Sequence, residues 1–155
     1  PPPTPAPLPP LLLDPNDPTL PETIVVSFHG LPQRYFEEGD PYHCHCMKTS
    51  RLLRESLGWP AERWATSFQS RFGPAKWLEP YTFDTILRLA REGKKHIAIL
   101  SPGFASDCIE TLEELNIGLR EQFLHEGGER FTYIPCLNTD EAHIRLLKAL
   151  VEEAL

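Results

Sequence analysis

From residue 24 onward, short apolar runs alternate with longer stretches whose apolar residues recur at helical spacing. Four runs predict strands: 24–28 (IVVSF), 64–69 (WATSFQ), 96–100 (HIAIL) and 131–135 (FTYIP). Helices are predicted between and after them. The first runs from about 42 to 57 and stops at Gly58; the second, about 82–91, begins with TFDT and stops at Gly93. The third spans about 107–125 and ends at Gly127-Gly128. The fourth, 139–154, opens with Thr139 or Asp140 as N-cap and carries Ile144, Leu147 and Val151 on one face. Strand-then-helix repetition of this kind predicts an α/β fold, a half-sized doubly wound unit with a four-stranded parallel sheet flanked by helices. Ligands in such sheets bind outside the carboxyl ends of the strands, so those ends are where chemistry is expected.

Composition adds boundaries to this picture. Ten of the 17 prolines fall in residues 1–21, where fixed φ and missing N–H groups prevent a helix or a central strand. Residues 1–23 are therefore expected to be a proline-rich tail or linker, and 24–155 one domain. With 155 residues, 41% of them apolar, the chain can bury a real core. A formal net charge of −7 argues against nucleic acid or an anionic membrane as partner, since both demand clustered Lys and Arg. No stretch approaches the roughly 20 apolar residues of a membrane span, and the start lacks the basic and apolar regions of a signal peptide. Four cysteines, Cys44, Cys46, Cys108 and Cys136, make no disulfide framework, so a soluble protein of the reducing cytoplasm is expected.

Two strand ends carry the candidate chemistry. His29 and Gly30 follow the first strand, and SPGFASDCIETLEEL (101–115) follows the third and runs into the third helix. Both open onto one edge of the sheet, so His29 and the early acids of that helix can approach each other. On an ideal helix Glu110, Glu114 and Glu121 fall within about 40° of one line. Such a ridge is often only a solvated face, and Glu113 reads that way. Like-charged carboxylates at i and i+4 repel unless a cation or a proton relieves them, so Glu110 and Glu114 near a histidine favour a metal or proton-handling role. An imidazole with a carboxylate suits Fe(II), Zn(II) or Co(II) while leaving positions open for exchange.

These residues lie in motifs that identify a family. VVSFHGLPQRYFEEGDPY, FQSRFGPAKWLEPYT and SPGFASDCIETLEELNIGLREQF, closed by YIPCLN, together resemble the carboxyl-terminal half of bacterial ferrochelatase over 24–155. The resemblance implies a Rossmann-like (chelatase-like) half and insertion of Fe(II), as substrate, into a porphyrin (protoporphyrin IX or coproporphyrin) with release of two protons. It also implies that His29 and Glu110 form the metal-binding and catalytic pair and that Glu114 continues an acidic path for metal or protons. Some members extend this path a further turn; here that position is Gly118. The family's amino-terminal half, the opposite wall of the porphyrin cleft, has no counterpart in the proline-rich tail. A second copy could complete the cleft instead, as in half-size chelatases of the cobalt or sirohydrochlorin class. A third reading is a non-catalytic half-domain that binds metal or porphyrin weakly.

Four features keep two readings each. Trp77 in KWLEP matches a tryptophan of the family's porphyrin pocket, or is a plain aromatic of core or surface. Arg71 pairs with a porphyrin propionate, or ties its loop to an acid. Asp107 caps the third helix, the favoured expectation, or orients the histidine from behind. In HCHC (43–46), four donors in a row cannot reach one ion from a helix. Some bacterial members carry a [2Fe-2S] cluster to which Cys44 and Cys46 could contribute, although further ligands are not evident, Cys108 and Cys136 reading as strand-end core residues.

Overall fold

The computed structural model describes residue 14 and residues 17–155. Most of the proline-rich tail (1–13, 15 and 16) lies outside the described residues. Its last residues are pinned to the amino-terminal edge of the sheet. Glu22 accepts the main-chain N–H groups of Lys95 and His96 at 2.6 and 3.0 Å. The Arg63 guanidinium donates to the carbonyls of Pro21 and Glu22 at 2.7 and 2.9 Å.

Four parallel strands, β1 (Thr23–His29), β2 (Trp64–Gln69), β3 (His96–Leu100) and β4 (Arg130–Tyr133), form one sheet in the order β2-β1-β3-β4. The fourth strand ends two residues before the expected boundary, because Pro135 has no N–H to continue the ladder. A short helix α1 (Gln33–Glu37), which the pattern did not predict, precedes α2 (Tyr42–Leu57). Gly58 closes α2 in the left-handed region at φ 63°. Helix α3 (Thr82–Arg91) has the predicted bounds.

The order of the strands explains where the helices go. From β1 the chain moves outward to β2, then crosses back over β1 to β3 and on to β4. Right-handed crossovers in opposite directions place their helices on opposite faces. Ile24, Val26 and Phe28 of β1 therefore pack with Cys46 of α2 on one face. Val25, Ile97 and Ile99 pack with Ile86 and Leu89 of α3 and with Leu115 and Phe123 on the other. Each fully buried Ile, Leu or Phe contributes about 1.5–3 kcal/mol. β1 and β3 are adjacent with connections leaving in opposite directions, so the crevice at their carboxyl ends is the topological switch point.

The expected regular helix over 107–125 is corrected. The chain forms a single α turn, α4 (Ile109–Thr111), then a π-helical segment (Leu112–Leu119), then α5 (Arg120–His125). The π turns are wider, with i→i+5 hydrogen bonding. Two carbonyls of this stretch are bonded from side chains: Glu110 O by Gln69 Nε2 at 2.8 Å and Asn116 O by Arg120 Nε at 2.9 Å. The final helix α6 (Glu141–Ala154) is capped by Asp140, which accepts the Ala142 N–H at 2.8 Å. Its apolar face of Ile144, Leu147 and Val151 is exposed, and within α6 only His143 is buried. Among the described residues no helix is long and apolar enough to cross a membrane.

Candidate functional site

His29 is the last residue of β1, half-buried at the switch point. Its Nδ1 lies 2.7 Å from the Gly30 carbonyl oxygen. A carbonyl only accepts, so Nδ1 carries the proton and, in the neutral ring, Nε2 keeps a free lone pair. The backbone beneath the ring is held too, because the Tyr42 hydroxyl of α2 donates to the His29 carbonyl at 2.8 Å. Trp77 and Phe104 flank the imidazole, with ring centroids 6.2 and 6.3 Å away. The ring is thus fixed with one nitrogen presented.

Gly30 owes its place to space rather than to an unusual turn. A Cβ there would lie 2.9 Å from both the Gln69 carbonyl oxygen and Trp77 Cε3. Trp77 is drawn in by a short antiparallel bridge to Pro32 and by the Leu78 N–H donating to Leu31 O at 2.8 Å. Its indole Nε1 is buried and has no hydrogen-bond partner among the described residues. The tryptophan therefore forms a wall behind His29, with an unsatisfied donor.

Glu110 sits in the first turn of α4, partly exposed. The Cys108 thiol donates to its carboxylate, and its own N–H and the nearby His29 ring add to this; together they hold the carboxyl below its ordinary range. The group is a carboxylate with room for a further partner. Glu114 is held differently. Ser70 donates to it through its main-chain N–H at 2.7 Å and its hydroxyl at 2.6 Å, and Gln69 Nε2 lies 3.4 Å away. Ser70 adopts φ 62°, which turns its N–H toward the acid.

The ridge of Glu110, Glu114 and Glu121 is corrected at its far end. Glu114 follows Glu110 by about one turn and is held by the end of β2, whereas the π segment shifts the register beyond it and Glu121 is exposed on α5. Ser70 and Gln69 donate to Glu114 and so lessen the repulsion expected between it and Glu110. Among the described residues no group of three or more His, Cys, Asp or Glu side chains is placed to hold one ion. His29 lies near enough to Glu110 to favour its ionised form, while the Glu114 carboxylate is engaged by Ser70.

Asp107 is neither the helix cap nor an orienter of the histidine. Cys108 occupies the N-cap position, its thiol and the Thr111 side chain forming a reciprocal box. The Asp107 carboxylate instead receives the Tyr133 hydroxyl, the Thr111 hydroxyl, the Cys136 N–H and the Asn138 amide. Partial burial raises its pKa, but the donors, Asn138 and Tyr133 foremost, outweigh that and hold it far below the usual carboxylate range. Burial, and then the same carboxylate, push the Cys136 thiol up to about 11.

Arg71 lies over the Tyr81 ring, 4.3 Å from its centroid, and is in no ion pair among the described residues. With Ser70, Glu114, Tyr81 and Asp84 it lines a cavity of about 180 Å³. Cys44 is exposed on α2 while Cys46 is 4% exposed in the core, so the two do not face a common ion and do not fit a cluster.

Sequence reasoning passed over Gln69, the register partner of His29 at the end of β2. It is 3% exposed, a buried amide closing an apolar run at a strand's carboxyl end. That position was the signal that could have found it. Phe104 and Ser70 were passed over as well, and no local pattern marks them.

Comparison with known proteins follows the geometry. A family profile described as Ferrochelatase matches residues 12–155, so the match begins before the span over which the motifs are evident. A ferrochelatase from Rhodobacter capsulatus is 58% identical over 137 residues, covering 88% of this chain and 39% of the relative. One from Rhizobium meliloti (strain 1021) is 56% identical over 135 residues, covering 87% and 40%. The chain thus spans about two fifths of the length of the curated relatives it matches. Among solved structures, a protein described as a CbiX protein of cobalamin (vitamin B12) biosynthesis from Marinobacter aquaeolei VT8 superposes with a TM-score of 0.54 at 16% identity. That match covers 87% of this chain and 95% of the other, and it supports the chelatase-like α/β fold.

Proposed function

The chain belongs to the ferrochelatase family, and from that membership we propose that it carries the metal-side half of a ferrochelatase. The reaction is insertion of Fe(II) into a porphyrin, protoporphyrin IX or coproporphyrin, with release of two protons, in haem biosynthesis. One observation supports the assignment to this edge of the sheet. The His29 ring is anchored through Nδ1 on the Gly30 carbonyl, which leaves Nε2 unengaged, and it lies near enough to favour the ionised form of Glu110.

The chemistry requires both groups. Pyrrole N–H protons must leave while a hydrated cation loses waters; a basic imidazole serves the first need and an exchangeable carboxylate the second. Two protein donors with open positions suit an ion in transit, since a complete cage would retain it. Glu114 and Ser70 then form the next step of the acidic path, passing protons or aquated metal toward the cavity beside Asp84. Trp77 lies against the macrocycle as a rigid wall, and Arg71, in no ion pair among the described residues, takes a propionate. A resident cluster on Cys44 and Cys46 is not part of this reading. A cytoplasmic location is, and it accords with four free thiols.

The opposite wall of the porphyrin cleft comes, in this reading, from sequence outside this chain. A second reading has two copies completing the cleft, as in half-size cobalt or sirohydrochlorin chelatases. The match that covers 95% of the CbiX protein favours keeping it. Incubation of an active ferrochelatase containing this half with Fe(II) or Zn(II) and either porphyrin, followed by absorbance, tests the proposal: metallation is expected to be lost in His29→Ala and Glu110→Ala, and the chain alone metallates only if two copies complete the cleft. No metallation at any protein concentration overturns independent activity and leaves a binding half-domain. Sedimentation of an active species as a monomer overturns the two-copy reading.

A further inference from the structure

Beneath the site runs a row of buried polar side chains that the reaction does not use: Ser67, Thr82, Ser27, Gln69 and Ser101, each 4% exposed or less. Their hydrogen bonds have a direction that chemistry settles. Gln69 Nε2 lies 2.8 Å from the Glu110 carbonyl oxygen and 3.4 Å from Glu114 Oε2. Both are acceptors, so the opposite amide orientation would set oxygen against oxygen twice; the NH2 group must face the acids. Oε1 then faces Ser27 Oγ at 2.7 Å and Ser101 Oγ at 3.3 Å, and both hydroxyls donate to it.

The remaining links follow one by one. Ser27 has a single proton, committed to Gln69, so in the Ser27–Thr82 pair at 2.8 Å Thr82 donates. Thr82 has then spent its proton, so in the Ser67–Thr82 pair at 3.0 Å Ser67 donates. The result is a directed chain, Ser67 to Thr82 to Ser27 to Gln69, each bond polarising the next and ending on the helix that bears Glu110 and Glu114.

We infer that Gln69 is a positioning residue which, as the last link of this buried chain, sets the Glu110 turn and the Glu114 carboxylate relative to the His29 imidazole. The role rests on the reading of His29 and Glu110 as the metal-handling pair. It explains why a costly buried amide closes an apolar strand directly opposite His29. It also explains how the carbonyl of Glu110 is satisfied where the helix widens.

The test uses Co(II) as the probe ion with the whole chain, reading affinity by titration calorimetry and ligand geometry by the visible spectrum. Gln69→Leu and Gln69→Met each keep comparable bulk and remove both polar ends, the donor to Glu110 included. Each is expected to stay folded by thermal melt, to weaken Co(II) binding about ten- to a hundredfold, and to shift the spectrum. Ser27→Ala, one link upstream, is expected to weaken binding about fivefold. A purely structural role would lower the melting temperature and leave affinity and spectrum alone, and that result overturns the inference. The same variants are compared without metal by the amide resonances of Glu110 and Glu114, which are expected to move.

If the wild-type chain shows no His29-dependent Co(II) binding, the metal reading fails, and the metal-free resonances decide the positioning separately. Unmoved resonances overturn it; displaced ones uphold it. Should the Gln69 variants unfold, Ser27→Ala carries the same metal-free comparison.

Discussion

Asp107 and Glu110 stand three residues apart at the start of one helical stretch, and the fold treats them in opposite ways. Asp107 is surrounded by donors from β4, the following loop and its own turn: Tyr133, Asn138, Cys136 and Thr111. Glu110 has the Cys108 thiol and its own N–H, with His29 nearby. Both carboxyls are held below their ordinary range. In Asp107 both oxygens are engaged by donors from β4, the loop after it and its own turn; Glu110 keeps capacity for a partner that is not protein. A depressed pKa therefore does not by itself mark a reactive acid; what marks it is whether the charge is already used.

The largest expected effect breaks this comparison on the side of activity. In an active ferrochelatase containing this half, His29→Ala and Glu110→Ala should each lower metallation about a thousandfold. Glu110→Ala should leave the midpoint of urea denaturation nearly unchanged. A large stability loss there would put Glu110 in the class of Asp107.

Asp107→Ala is expected to cost about 3 kcal/mol in the same measurement, since four donors lose a charged acceptor. Its pH dependence has a definite sign. The folded-state pKa lies below the unfolded value of about 4, so the contribution is present above that value and is lost as pH falls through it toward the folded value. Asp107→Asn should flatten this acid limb of the stability curve. An unchanged limb would mean that other carboxylates carry the acid sensitivity.

Gly30→Ala is expected to cost about 1–3 kcal/mol, because the added Cβ meets the Gln69 carbonyl and the Trp77 ring at 2.9 Å. It should also reduce metallation by displacing the wall behind His29, which unchanged kinetics would refute. The smallest effect is expected for Trp77→Phe, which removes a buried N–H that has no hydrogen-bond partner among the described residues. Stability should change by less than about 1 kcal/mol, and a greater loss would make the indole a structural group.

Much of the fold was legible because local signals and burial agree. IVVSF and HIAIL are buried almost throughout, and Gly58 ends α2 in the conformation expected of a helix-terminal glycine. The third helix was misread because its period is not set by its own residues. LEELNIGL is compatible with a regular helix, and the bonds to the Glu110 and Asn116 carbonyls come from Gln69 and Arg120. Asp107 was misread for a related reason. An Asp before a helix favours capping, but a hydroxyl from Tyr133 and an amide from Asn138, distant in sequence, claim its carboxylate first. Gly30 was legible only as a residue following the first strand, and the reason a glycine stands there, the approach of Trp77 and the Gln69 carbonyl, was not.

By itself the sequence determined the order of βα units, the placing of His29 at a strand's carboxyl end, the acids on the helix that faces it, and the motifs of the ferrochelatase family. Only the tertiary structure decided which acid remains open. Glu110 and Glu114 look alike along the chain, but Ser70 reaches Glu114 from 44 residues away, whereas Glu110 is left beside His29. Hydrogen-bond donors are assigned in space, by strand order and register, and a carboxylate's availability is what remains after that assignment.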